Sequence, residues 1–348
     1  MNNPVTRREA LATGAVAVGS VAGLSGCLSW GDSRVQWTFE MGLPVPGRAM
    51  VVENLVYVAS HDGFVRALTV DDGTERWHFD TDTDLLGGPS VVGDSLYIGT
   101  YNGTLYAIDA GAGTQQWRTS TAGKITHEPG ATPTRIVLGG GPVYSFTSGG
   151  DREWTFDRTH GYAAPHITEN RVIIGTAKSG TFALDVATGT LDWHVYESTY
   201  VTPKLTVAGD LVVIGYRSSG VVAVDRQTGE RRWEVPEVGH VRARPRVMDG
   251  VGYVGDASGV LYAIDLQEGE VQWRHESRGP IPSTPTIGKD GRILYFCSDQ
   301  RVVAFDIQKR EVVWKSGRLG ALLFTPPVLV EDGLLVSGGG EKLYKLSR

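Results

Sequence analysis

Short apolar runs of four to six residues recur along the whole chain, separated by turn residues. Leu96-Tyr97-Ile98-Gly99 and Leu105-Tyr106-Ala107-Ile108 are one such pair, and Asn102-Gly103 lies between them. β-Branched and aromatic runs of this length, punctuated by Asn-Gly or Ser-Gly, predict strands joined by tight hairpins. A third run precedes each pair and is often opened by proline, as in Pro89-Ser90-Val91-Val92, Pro203-Lys204-Leu205-Thr206-Val207 and Pro285-Thr286-Ile287. A fourth follows an Asp-x-x-Thr-Gly turn and ends on tryptophan, as in Asp185 to Gly189 and then Trp193. The aspartate of that turn accepts backbone N–H bonds and its glycine takes positive φ. No stretch of ten residues beyond the N-terminal segment carries a helical apolar period.

The tryptophans set the period. Trp37, Trp77, Trp117, Trp154, Trp193, Trp233, Trp273 and Trp314 are spaced by 40, 40, 37, 39, 40, 40 and 41 residues. Four short strands in each unit of about 40 residues describe one blade of a β-propeller. Seven units end at Trp77 through Trp314. The C-terminal stretch 327–346 supplies three strands without a tryptophan, and residues 34–39 supply a lone tryptophan strand. Together they make an eighth blade. The expected fold is therefore all-β, an eight-bladed propeller over 34–348, with the ring closed by the N-terminal strand joining the C-terminal blade. The eight indoles are expected to pack between neighbouring blades as core.

Residues 1–27 read as an address. Thr6-Arg7-Arg8-Glu9 opens a weakly apolar Ala/Gly/Val segment that ends at Leu24-Ser25-Gly26-Cys27. The segment is shorter than the roughly 20 residues a membrane span requires. The order resembles a twin-arginine (Tat) lipoprotein signal. It implies export through Arg7 and Arg8, lipid attachment at Cys27, and a tether over 28–33. The expected location is the outer face of the cytoplasmic membrane. Cys297, the other of two cysteines, lies in a strand run and reads as a small buried residue. Asn102-Gly103-Thr104 is a glycosylation sequon on an exposed turn.

Net charge is −6 over 348 residues, with 39 acidic and 33 basic side chains. A negative balance lacks the basic footprint of nucleic-acid binding. The histidines show no metal-ligand spacing, and the Gly139-Gly140-Gly141 and Gly338-Gly339-Gly340 runs precede no helix.

The phrase Leu-Tyr-Ala-Ile-Asp-x-x-x-Gly-x-x-x-Trp, clearest at Leu105–Trp117 and Leu261–Trp273, resembles the PQQ-like (pyrroloquinoline-quinone-type) propeller repeat, BamB-like lipoproteins included. The resemblance covers 34–346 and implies the propeller fold. It implies two functions of different kinds. One is a non-catalytic scaffold or docking module at the envelope, without cofactor. The other is a PQQ- and Ca²⁺-dependent quinoprotein dehydrogenase oxidising alcohols or sugars. Against the second stand the absence of a capping insertion, the absence of an adjacent cysteine pair, and no acidic set that maps onto a calcium site. The docking reading expects a monomeric propeller that grips an envelope protein or peptide. Polar variation clusters before each inner strand, which points to a rim of His127, Glu128, Tyr162, Tyr200, Arg242, Arg244 and Phe324. The turn residues His61, Asp62, Tyr101, Lys178, Arg217, Asp256 and Asp299 flank it.

Overall fold

The computed structural model describes residues 34–159, 163–176, 179–196, 205–216 and 220–348. The signal, Cys27 and the tether, together with Tyr162, Lys178, Tyr200 and Arg217, lie outside the described residues.

Thirty-two strands form eight four-stranded antiparallel sheets. Blades 1 to 7 run over Met50–Asp80, Ser90–Ser120, Gly130–Phe156, Ala163–Val195, Thr206–Val235, Arg246–Glu276 and Thr286–Lys315. Blade 8 takes its three inner strands from Val328–Ser347 and its outer strand from Val35–Glu40. In that blade Trp37 lies opposite Lys345 and Phe39 opposite Leu343. The fold is an eight-bladed β-propeller, closed as the repeat arithmetic requires.

Middle strands are buried on both faces, and outer strands alternate, as in Glu75–Asp80 and Val271–Glu276. Each outer strand carries a bulge just before its tryptophan in blades 1 to 7. The bulge twists the strand and so discourages edge-to-edge pairing.

The tryptophans latch blade to blade. Trp77 Nε1–H donates to the Ala110 carbonyl of the next blade at 3.0 Å, and its indole lies against Gly113, whose φ is +71°. A Cβ on Gly113 would fall 2.5 Å from the ring, so the turn needs glycine for conformation and for space. Trp37, Trp117, Trp154, Trp193 and Trp233 repeat the bond, at 2.8–3.1 Å, to Val70, Ser148, Val186, Arg226 and Leu266. Trp154 and Trp193 are buried, and the other six are half-buried because they stand at the end of each interblade seam.

Blade 7 breaks the pattern. Arg310 occupies the glycine position of the turn with φ +58°. Among the described residues Trp273, which faces that turn, makes no Nε1 bond, although its ring packs on Phe305 at 5.5 Å. A left-handed non-glycine residue costs about 1–2 kcal/mol. Arg310→Gly is therefore expected to raise stability by about 1 kcal/mol, or roughly 2 °C in Tm for a domain of this size. A differential scanning calorimetry trace with a lower Tm than wild type would contradict this.

Two kinds of connection share one face of the ring. The loop from each outer strand to the next inner strand packs against the hairpin between second and third strands. Thr81 N–H donates to Gly63 O, Tyr101 N–H to Asp84 O, Ala257 N–H to His240 O and Leu319 N–H to Gln300 O. We call this the loop face. One aliphatic residue per loop plugs the gap between blades: Val45, Leu85, Ile125, Val241, Ile281 and Leu323 are all buried. Gly99, Gly215 and Gly255 make room for the plug, since a Cβ there would meet Ile125, Val241 or Ile281 at 2.1–2.5 Å. Arg34 and the Asp-x-x-x-Gly turns lie on the opposite face, where Ser347 N–H donates to Arg34 O.

Candidate functional site: the channel mouth on the loop face

The residue three positions after each plug stands where the inner strand lines the axis. Counting from the inner-strand pairings, Arg48, Gly88, Glu128, Ala164, Arg244, Thr284 and Pro326 occupy one equivalent position. Inner strands approach each other closely here. A Cβ on Gly47 would lie 2.0 Å from Gly88 N, and one on Gly87 would lie 2.5 Å from the His127 carbonyl carbon. Hydroxyls staple the ring: Ser90 donates to Pro129 O at 2.5 Å, Thr206 to Pro245 O at 2.6 Å and Thr286 to Pro327 O at 2.6 Å.

Glu128 and Arg244 belong to blades 3 and 6, with two blades between them, yet an Arg244 Nη donates to Glu128 Oε1 at 2.8 Å. The pair crosses the channel. Burial first, and then the positive field of Arg244, pushes the His166 imidazole below its ordinary value. His166, on the inner strand of blade 4, therefore favours the neutral form beside the pair. Of the two adjacent rim candidates, half-buried Glu128 turns to the axis, whereas the His127 Nδ1 contacts the Thr126 hydroxyl at 3.1 Å.

Other rim residues fall into two groups. Arg242 is exposed, and Phe324 is 45% exposed with its ring over Gly339. Tyr101 is 39% exposed and carries the Lys124 ammonium over its ring at 4.0 Å. The acids expected on the rim are committed internally. Asp256 is 1% exposed and accepts N–H bonds from Ser258 and Val260 of its own hairpin, Asp62 holds Arg66 at 2.6 Å, and Asp299 holds Arg318 at 3.0 Å. A hairpin residue that caps its own turn points inward, so turn chemistry overrode exposure.

Sequence reading missed Arg48 and Leu322. Arg48 sits in blade 1 at the position that Arg244 occupies in blade 6. Leu322, 47% exposed, flanks the plug Leu323 in the run Gly320-Ala321-Leu322-Leu323-Phe324. Leu319 and Leu323 take the buried places in this loop, and Leu322 and Phe324 face out.

Among the described residues, no group of three or more His, Cys, Asp or Glu is placed to share a metal ion. Calcium takes six to eight oxygen ligands, whereas the ring position at the mouth offers one carboxylate, already bonded to an arginine. Burial pushes the Cys297 thiol up to about 12, so it is neither thiolate nor ligand. The described residues of this ring position do not by themselves make up a calcium coordination set.

The family model described as "Outer membrane protein assembly factor BamB" matches residues 3–100, 61–240 and 236–348. The chain belongs to this BamB family. No curated protein sequence matches it significantly. Among solved structures, BamB from Moraxella catarrhalis is 18% identical with a TM-score of 0.75, over 91% of this chain and 100% of that one. The computationally designed Ika8 protein is 13% identical with a TM-score of 0.81, again over 91% and 100%. A quinohemoprotein alcohol dehydrogenase from Pseudomonas putida is 15% identical with a TM-score of 0.74, over 90% of this chain and 76% of that one. Neighbours thus include an assembly factor and an enzyme, and at these identities the likeness to each is one of fold alone.

Proposed function

We propose that this BamB-family propeller is a non-catalytic docking module of the cell envelope, exported by its twin-arginine signal and anchored by lipid on Cys27. The observation that carries the docking reading is the loop face itself. Leu322, Phe324 and Tyr101 expose apolar surface there, Arg242 is exposed on the same face, and buried plug residues anchor the loops. Aromatic and arginine anchors on a preformed surface are the composition of interface hot spots. Arg34 enters the ring on the opposite face.

Phe324→Asp is expected to reduce capture of an envelope protein or peptide by at least tenfold in cross-linking from intact cells, with unchanged circular dichroism. Capture at wild-type yield would remove this face from consideration. For the anchor, Cys27→Ala is expected to move the protein from the membrane fraction to the soluble fraction or medium. Retention on the membrane would argue for a different attachment.

The dehydrogenase reading rests on the shared fold with the quinohemoprotein enzyme. Titration of purified protein with PQQ and Ca²⁺, followed by tryptophan fluorescence, distinguishes the two. The docking reading expects no saturable quenching up to tens of micromolar, about −6 kcal/mol.

A further inference from the structure

The charge at the channel mouth has the opposite sign to that of the whole chain. The ring position that Glu128 occupies in blade 3 is Arg244 in blade 6 and Arg48 in blade 1. Arg242 lies two residues further out on the loop, and Arg246 is exposed at the start of the inner strand of blade 6. Among the described residues, the inner strands and their lead-in loops thus carry four arginines at this end against the one carboxylate of the ring position, in a protein whose net charge is −6. Arg244 alone is matched. Among the described residues Arg48, Arg242 and Arg246 pair with no carboxylate; the Arg48 guanidinium meets only the Met50 sulfur, at 3.1 Å, and its Nε is buried without a partner. An arginine kept permanently charged and partly desolvated is costly unless an anion completes it.

We infer that this mouth binds an acidic, extended peptide segment, and that Glu128 holds Arg244 in the resting state as an internal stand-in for a ligand carboxylate. The inference rests on the docking reading and names the chemistry of its partner. Guanidinium groups bind carboxylates through paired N–H donors. A segment with three or four Asp or Glu residues can engage Arg242 and Arg48 and then displace Glu128 from Arg244. The released Glu128 opposes the incoming acid, so the wild-type site is restrained by its own carboxylate. Burial, and then the Arg244 charge, lower the His166 imidazole and so disfavour a further positive charge there.

The test is fluorescence anisotropy of a labelled deca-glutamate peptide with the full-length protein. Saturable binding is expected, weakening at least tenfold between 50 and 300 mM salt because surface charge is screened. Arg48→Gln and Arg242→Gln should each weaken it about fivefold. Glu128→Gln should tighten it about fivefold, a gain that a merely structural ion pair would not give. Deca-lysine should not bind. Absence of binding in low salt, indifference to both arginine substitutions, weaker binding by Glu128→Gln in a normally folded variant, or equal binding of a ten-nucleotide DNA strand would each overturn the inference. Capture through Phe324 that persists when the acidic peptide fails to bind would leave the docking reading standing and remove this one. Loss of both would remove the face.

Discussion

Deletion of residues 34–40 is expected to lower the Tm by 10 °C or more. Val35–Glu40 is the outer strand of blade 8, paired along its length with Lys342–Leu346. Losing it strips the backbone ladder from the last strand. Losing it also removes Trp37, which donates to Val70 O at 3.0 Å and covers Gly73 of blade 1, and Phe39, which packs on the Met41, Val58 and Leu343 cluster. Truncating one such tryptophan costs about 3–5 kcal/mol, and the ring loses its closure in addition. At roughly 2 °C per kcal/mol for a domain of this size, the seam accounts for the expected fall. Trp37→Ala should recover about half of the effect while leaving the strand in place. Equal melting temperatures for wild type and deletion, by calorimetry, would show that the ring is held by blade packing alone.

The second large effect lies on the same seam and is asymmetric. The position opposite each tryptophan on the third strand is alanine in blades 1, 2, 4, 5, 6 and 7, and serine in blade 3. In blade 8 it is Lys345, 2% exposed, whose ammonium reaches Asp332 at 2.9 Å. Asp332 is 58% exposed on its side chain, so the pair sits at the edge of water. Asp332→Asn leaves a buried cation without its counter-ion. Breaking a fully buried pair costs 3–5 kcal/mol; with one partner in solvent we expect about 2 kcal/mol, a fall of roughly 4 °C. Lys345→Ala removes the charge with its partner's purpose and restores the alanine of the other blades. It should cost under 1 kcal/mol or stabilise.

The same pair sets an acid limit. The bond from Lys345, and then its charge, hold the Asp332 carboxyl below its ordinary value. A depressed carboxylate contributes stability that is fully present above its unfolded value, near pH 4, and is lost as pH falls through the lower folded value. The wild-type minus Asp332→Asn difference in Tm should therefore be constant from pH 5 to 7 and shrink below pH 4. A difference that persists unchanged at pH 2.5 would assign the effect to packing.

Much of the architecture was legible in the chain because its cause is local and repeated. Short apolar runs, Asn-Gly and Ser-Gly hairpins, and an Asp-x-x-x-Gly turn before most of the tryptophans recur about every 40 residues. Repetition multiplies a weak signal until strand number, blade number and the mixed eighth blade follow by counting. The family followed from the same phrase. The indole positions were legible too, though not that each bonds the next blade's turn, because that partner lies 31–33 residues away.

The mouth was not legible in this way. His127, Glu128, Arg242, Arg244 and Phe324 drew notice as departures from the repeat, but a departure carries no partner. Only ring closure brings blades 3 and 6 across a narrow axis, so the 116-residue separation of Arg244 and Glu128 becomes 2.8 Å. Likewise Asp256 looked like a rim acid until its hairpin turned it inward, and nothing in the sequence marked Lys345, which strand order places opposite Trp37. Sequence determined the local conformations and the period that sums them into a closed ring. Tertiary structure decided which side chains meet at the axis and the seam, because those encounters depend on closure and on charge in low dielectric, neither of which any 40-residue unit contains.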